Sequence, residues 1–300
     1  DSTRLSFDSL LLKSYSTDVV KHLTFETNEL EGNLTGEFNI VQLPDAFSVF
    51  LNRYYPAYIK KPKSNNISNE NFSFYVKTKT VDEFVQLLDK RLKGFNDAEF
   101  RGNINLAKNE LNVSGSIPYF EYDKKTFNNV VLESHGNFDT LTTKITTGDI
   151  ALNDSLHFPR TDLLIKSHND VSTVQIKTSA SKTLNEAELN ATVTTLSDGV
   201  RIHFSPSSFI INDKKWELEK DGELTIRKSI EASEVKFIQG EQEITIATEE
   251  AQDGTDNTNL VAHLKKVNIS DFAPLFLNKP RLEGQITGKV TLSDPFGKPF

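Results

Sequence analysis

Cysteine and methionine are absent from the 300-residue sequence, and Trp216 is its only tryptophan. The absence of cysteine excludes disulfide bonds, thiolate zinc sites and cysteine nucleophiles. No apolar run approaches the roughly 18 residues that a membrane-spanning helix needs. A protein of an oxidising compartment can simply avoid cysteine, so the composition is compatible with a periplasmic location.

Basic residues are too few and too scattered for a nucleic-acid partner. Lysine and arginine number 34 against 42 aspartate and glutamate residues, which gives a net charge of −8 and a pI near 5.4. A nucleic-acid-binding face needs a basic stripe. The one basic cluster, at 60–63, lies in a polar stretch typical of a solvated loop. We therefore predict no nucleic-acid partner.

Catalytic and metal-binding signatures are also missing. The chain has no GxSxG elbow, no GxxxxGK loop and no strand–GxGxxG–helix unit. The stretch 253–259 has the composition of a calcium loop, but it lacks the glycine spacing and the terminal glutamate of an EF-hand. The histidines form no i, i+4 pair and no HExxH motif. They are His22, His135, His157, His168, His203 and His263. We predict no cofactor, no metal site and no enzymatic activity.

Period-two alternation of apolar and polar residues runs through most of the chain. Examples are 111–117 (LNVSGSI), 189–195 and 200–204. This period predicts strands, about eighteen to twenty of them. Thr80 and Glu83 have the spacing of a capping box, and Gly94 is a typical helix stop. The windows with helical spacing are Pro44–Tyr55, Val81–Leu92 and Ser270–Leu277.

One pattern occurs twice. LEGNLTGEFNI at 30–40 and LEGQITGKVTL at 282–292 align without a gap, and FRGNI at 100–104 is a weaker echo. A recurring fixed pattern is typical of a repeat architecture. We predict that the two strands are equivalent in the sheet, with leucine and glycine on its concave side and Glu31 and Glu283 in solvent.

The apolar faces of so many strands need a partner, because three short helices cannot cover them. Each exposed Leu, Ile or Phe forgoes about 1.5–3 kcal/mol. Two sheets could face each other as sandwiches, or one long sheet could curl around a groove whose contents are not protein. Inward glycines favour the curled sheet because they remove side chains and allow bends. Bulges or a closely packed helix would also explain them. These glycines are Gly32, Gly36, Gly102, Gly115, Gly284 and Gly288.

We interpret residues 1–300 as one continuous repeat-built β region and as a segment of a longer protein. Its predicted sub-blocks are 1–59, 72–200 and 201–300. The stretch 60–71, KKPKSNNISNEN, is polar and turn-forming, and it is the predicted linker between the first two sub-blocks.

Four segments together resemble the repeat pattern of the TamB/AsmA-like family: FAPLF at 272–276, LEGQITG at 282–288, FRGNINL at 100–106 and LNVSGSIPYF at 111–120. Members of that family are large periplasmic proteins of Gram-negative envelopes, usually anchored in the inner membrane. The resemblance implies a mostly β fold: a long curled antiparallel sheet of repeats with a hydrophobic groove (a β-taco) and a few short helices. It also implies an inner-membrane anchor outside this segment. The implied role is phospholipid transport between the two membranes, or outer-membrane protein insertion and secretion.

The inward stripe as a whole is the predicted site. Its expected partners are phospholipid acyl chains, the inner membrane and an outer-membrane barrel protein. Two other functions stay open: a scaffold that offers an edge strand to folding outer-membrane proteins, and a surface β-sandwich module that binds a glycan or a protein. The residues expected to line the groove are Leu34, Phe38, Ile104, Leu111, Val113, Ile117, Leu189, Val193, Ile202, Phe204, Leu282, Ile286 and Val290.

Overall fold

A computed structural model describes residues 9–62, 70–152, 157–179, 184–219, 222–250, 258–276 and 282–292. Of these residues, 66% lie in strands and 10% in helices. Within the described residues, 22 strands form one large antiparallel sheet that is not closed, and three short α-helices accompany it. The predicted mostly β class is confirmed.

The chain divides into two compact units, unit 1 at Asp1–Asn169 and unit 2 at Asp170–Phe300. The boundary after Asn169 lies inside the predicted sub-block 72–200. Residues 63–69 of the predicted linker lie outside the described residues.

Unit 1 is a ladder in which most strands pair with the next strand along the chain. The pairing order is β1–β2–β3–β4–β6–β7–β8–β9–β12, while β5 pairs with β7 and β10 pairs with β8 and β11. The strands are β1 (Leu10–Thr17), β2 (Val20–Thr27), β3 (Leu30–Glu37), β4 (Asn71–Thr78), β5 (Leu92–Gly94), β6 (Glu99–Asn105), β7 (Glu110–Tyr122), β8 (Lys125–Gly136), β9 (Leu141–Thr147), β10 (Asp149–Ala151), β11 (His157–Phe158) and β12 (Thr161–His168).

Helix α1 (Leu43–Asn52) covers part of one face of this ladder. Pro44 lies in its first turn, where a missing N–H costs nothing. A short 3-10 helix (Ile40–Gln42) precedes α1, and its cap is Asn39, whose side chain accepts a hydrogen bond of 3.1 Å from the N–H of Val41. Phe50 and Tyr54 are buried against the strands, and each such burial contributes about 1.5–3 kcal/mol. The other residues buried in the same cluster are Phe38, which follows β3, and the strand residues Leu23, Phe72, Ile104, Leu111 and Leu141.

Helix α2 (Asp82–Leu88) is shorter than predicted. Residues 92–94 form β5 instead, so Gly94 is a strand residue and the prediction of a helix stop there is wrong. The predicted capping box is also wrong, because no side chain caps the helix. The Asp82 carboxylate accepts hydrogen bonds from the Gly94 N–H at 2.6 Å and from Asn96 Nδ2 at 2.8 Å. These bonds tie the start of the helix to the end of β5 and to the residue Asn96 beyond it, contacts that local spacing does not reveal.

Unit 2 repeats the meander with one branch. β14 pairs with β13 and β15, β15 pairs with β16 and β17, β17 pairs with β18, and the order β16–β19–β20–β21–β22 follows. The elements are β13 (Val171–Ser179), β14 (Leu184–Leu196), β15 (Gly199–Ile211), β16 (Lys214–Leu218), β17 (Glu223–Ile226), β18 (Ile230–Ser233), β19 (Val235–Gln239), β20 (Gln242–Glu250), β21 (Thr258–Asn268), α3 (Ile269–Phe276) and β22 (Gln285–Leu292).

The two repeated segments are both strands, β3 and β22, and the weaker echo lies in β6. Their settings differ, because β3 has partners on both sides whereas β22 pairs only with β21 among the described residues. A further parallel links Asn39 and Asn268. Each precedes a helix, and each side chain accepts a hydrogen bond from the N–H two residues later, at 3.1 Å for Asn39 and 3.3 Å for Asn268.

Candidate functional site

The strand register of unit 1 aligns side chains into rows across the sheet. Residues that are directly opposite in an antiparallel pair point to the same face, so the register alone defines each row. One row is apolar from β1 to β12 without a break, and we call it the apolar row. Its members are Leu12, Phe25, Gly32, Val76, Phe100, Gly115, Leu132, Ile145 and Leu163.

Gly32 and Gly115 of the apolar row are buried, whereas its side chains remain partly accessible. Its side chains from β2 to β12 are half-buried, and Leu12 in β1 is 60% exposed. Nine strands about 4.8 Å apart give the row a length of about 38 Å. The sheet thus keeps a long hydrocarbon surface accessible within unit 1.

Glycines in this part of the sheet provide space for aromatic rings. A Cβ atom on Gly32 would lie 2.5 Å from the Phe25 ring, and one on Gly115 would lie 2.7 Å from the Phe100 ring. In both pairs the phenylalanine is directly opposite the glycine on the neighbouring strand. The rings therefore lie across the backbone of the next strand. We expected these glycines to allow bends in the strands. The structure instead shows each of the two packed against a phenylalanine ring.

Two rows lie beside the apolar row on the side of α1. The middle row passes through Ser14, Leu23, Leu34, Phe74, Gly102, Val113, Ser134, Thr143 and Ile165. The helix row passes through Lys21, Gly36, Phe72, Ile104, Leu111, Gly136, Leu141 and Ser167. Helix α1 packs on the helix row and against part of the middle row.

An aromatic stack lies on the other side of the apolar row. The rings of Phe95 and Phe120 have centroids 4.9 Å apart, and those of Phe120 and Phe127 are 4.5 Å apart. These rings pack against the buried pair Ile117 and Val130. The apolar row is thus bordered by α1 on one side and by this stack on the other.

Charge is almost absent from these three rows. Among the members of the three rows, Lys21 is the only ionisable residue, and its Nζ donates a hydrogen bond of 2.8 Å to the Phe38 carbonyl. An apolar surface without charge can accept hydrocarbon but offers no electrostatic site for an ion.

The opposite face of the same strands is polar. A hydrogen-bonded chain crosses it: Asn112 Nδ2 donates to Asn103 Oδ1 at 3.2 Å, and Asn112 Oδ1 shares a 2.5 Å hydrogen bond with His135 Nδ1. An open depression of about 520 Å³ surrounds this chain, with Arg101 and Lys144 on its border. Unit 1 therefore has one face suited to water and one suited to hydrocarbon.

The structure separates the residues predicted for unit 1 into three groups. Phe38, Ile104 and Leu111 are buried in the cluster beneath α1, so protein already covers them. Leu34 and Val113 belong to the middle row and are partly packed against that cluster. The other predicted residue, Ile117, is buried beside the aromatic stack. These six residues lie on the predicted face but border the accessible row rather than form it.

Two of the residues predicted for unit 2 pack against another cluster. Leu189 and Phe204 pack against buried Leu218, Ala232 and Val235. Val193 is directly opposite Ile202, and both are half-buried. The remaining predicted residues are exposed, Leu282 to 42%, Ile286 to 38% and Val290 to 58%. Ile286 and Val290 are paired with Val267 and Ala262 of β21.

The sequence alone does not identify the residues of the apolar row, because the row joins residues from different strands. Phe25, Val76, Leu132, Ile145 and Leu163 are not neighbours of one another in the sequence. The glycines were the available signal, because Gly32 and Gly115 both belong to the row. Their shared row appears only when the register is known.

The described part of the chain contains no cluster of three or more His, Cys, Asp or Glu residues that could hold a metal ion. Within the same residues, no helix is long and apolar enough to cross a membrane. Comparison of the sequence with models of protein families and with curated proteins, and of the structure with solved structures, finds no match.

Proposed function

We propose that this chain is a non-enzymatic lipid-binding protein whose apolar row shelters the acyl chains of phospholipids in transit. The observation that carries the proposal is the partly accessible apolar row that crosses nine strands of unit 1. Moving a methylene group from water onto such a surface is favourable by about 0.8 kcal/mol when burial is complete. Binding along the row would therefore need no cofactor and no nucleotide.

The resemblance to the TamB/AsmA-like family gives this proposal its cellular setting. In that setting the protein is periplasmic, is held at the inner membrane by a segment not present here, and carries phospholipid between the inner and outer membranes. An outer-membrane barrel protein would be its partner at the outer membrane. The polar face of the same strands would then face the water of the periplasm.

A scaffold for folding outer-membrane proteins is the second candidate. It is favoured by β1, in which all eight residues are exposed and which pairs only with β2 among the described residues. A free edge of this kind can accept another strand. The β-sandwich module has less support, because the ladder of unit 1 proceeds from strand to strand within one sheet.

Two adjacent residues of β8 provide a matched test. Leu132 belongs to the apolar row, while Val131 points to the opposite face and is 46% exposed. The Leu132→Glu variant should lose the phospholipid that co-purifies with the chain, measured by lipid mass spectrometry, because a carboxylate beside the acyl chain is costly. The Val131→Glu variant should retain it. Equal lipid content in both variants, or none in the wild type, would overturn the proposal.

A further inference from the structure

Two hydroxyl groups interrupt the otherwise apolar surface next to the apolar row. Ser134 in β8 and Thr143 in β9 are directly opposite each other in the middle row. Their oxygens are 2.9 Å apart and share one hydrogen bond. Both residues are half-buried. Apart from Ser14 in the edge strand β1, every other member of the middle and apolar rows is apolar or glycine.

A pair of hydroxyls carries two protons, and its mutual hydrogen bond uses only one of them. Neither hydroxyl makes another hydrogen bond to the residues that the structure describes. One proton is thus left for an acceptor on the side of the sheet where the apolar row lies. A hydrocarbon chain cannot provide that acceptor.

The position of the pair relates it to the apolar row. Ser134 lies two residues after Leu132, and Thr143 lies two residues before Ile145, so all four side chains share one face. The two rows are about 7 Å apart along the strands. From β8 the apolar row continues across six further strands to β1, which is about 29 Å. An acyl chain on this row could therefore have its polar end beside the hydroxyl pair.

We propose that Ser134 and Thr143 form a subsite for the ester carbonyl of a glycerophospholipid whose acyl chain lies on the apolar row. The inference rests on the proposed function and adds the chemical class of the group that is recognised. A neutral ester carbonyl fits better than a phosphate. The only ionisable residue of the three rows is Lys21, which lies in β2 and is bonded to the Phe38 carbonyl. A buried phosphate without a cation would be strongly disfavoured.

Phospholipids that differ only in this group provide the test. The whole chain is titrated with diacyl phosphatidylethanolamine and with its dialkyl ether analogue of equal chain length, in competition with a fluorescent fatty acid. The ester lipid should bind about three- to tenfold more tightly, as expected for one net hydrogen bond. The double variant Ser134→Ala/Thr143→Val should bind both lipids as the wild type binds the ether lipid. Thr142→Val, on the opposite face of β9, should keep the ester preference.

The outcomes separate this inference from the proposed function. Equal binding of ester and ether lipids by the wild type, with both bound on the apolar row, would overturn the ester subsite and leave the lipid-binding function standing. An ester preference that survives in the double variant would likewise overturn it. Failure of the wild type to bind either lipid would overturn the proposed function and this inference together.

Discussion

Phe100 is directly opposite Gly115 on the neighbouring strand, and its ring fills the space that a Cβ atom of residue 115 would occupy. The same relationship joins Phe74 to Gly102, where the separation would be 2.9 Å. A cross-strand pair of this kind explains why glycine occurs in strands that otherwise need side chains to pack. The packing role of such a glycine can be tested by substituting alanine, which adds a single methyl group.

Gly115→Ala should destabilise unit 1 by about 1–3 kcal/mol, because the added methyl forces the Phe100 ring to move in a packed layer. The measurement is urea denaturation. Gly288→Ala in β22 is the matched control, because a Cβ atom there would meet nothing within 4 Å, and its effect should be close to zero. Adding Phe100→Leu to Gly115→Ala should recover part of the loss. An equal loss from both alanine substitutions would contradict the ring-packing account.

Tyr54 should make the stability of unit 1 depend on alkaline pH. Its hydroxyl donates a hydrogen bond to the Asn137 carbonyl, and burial raises its pKa to about 12. Because the ordinary tyrosine pKa is about 10, the folded state holds this proton more tightly than the unfolded state does. The stabilisation is fully present below pH 10 and is lost as pH rises through 12.

Tyr54→Phe should therefore be less stable than the wild type at pH 8, by about 1 kcal/mol for the lost hydrogen bond. The difference in the free energy of unfolding between the two proteins should narrow between pH 10 and pH 12, because only the wild type loses stability by ionising this residue. Denaturant titrations at several pH values measure both effects. A difference in stability that stays constant over this pH range would show that burial does not raise the pKa of the Tyr54 hydroxyl.

Asp271 and Lys214 should hold α3 on the sheet of unit 2. The Asp271 side chain is buried, and its carboxylate lies 2.8 Å from Lys214 Nζ and 3.2 Å from Asn212 Nδ2. Lys214→Met would leave this carboxylate buried with only a neutral partner, and should destabilise unit 2 by about 3 kcal/mol. The double variant Lys214→Met/Asp271→Leu should be more stable than Lys214→Met alone, because no unpaired charge remains.

The only tryptophan reports this change directly. Trp216 contacts Phe272 in α3, with ring centroids 5.1 Å apart. Its fluorescence should follow the loss of α3 during urea denaturation, at a lower urea concentration for Lys214→Met than for the wild type. If Lys214→Met unfolds at the same urea concentration as the wild type, the pair does not secure the helix.

The sequence predicts well what depends on neighbouring residues. Alternation at 111–117 identifies β7 and the common face of Leu111 and Val113, because period two is a local property. It cannot show that α1 covers Leu111 while Leu132 stays accessible, because the cover and the register are set by residues distant in the chain. Helix α2 illustrates the same limit, since Gly94 and Asn96 bond to Asp82 across a turn. The site residues predicted for unit 1 therefore border the apolar row, but none of them belongs to it.

The central claim is that acyl chains contact the apolar row and not the opposite face of the same strands. Ile145 and Lys144 are adjacent in β9 and point to opposite faces. The most direct test places the photoreactive amino acid p-benzoylphenylalanine at position 145 or at position 144 and irradiates cells that produce each variant. Mass spectrometry then identifies the adducts. We expect phospholipid adducts at position 145 and none at position 144; adducts at both positions in equal amount, or at neither, would contradict the account.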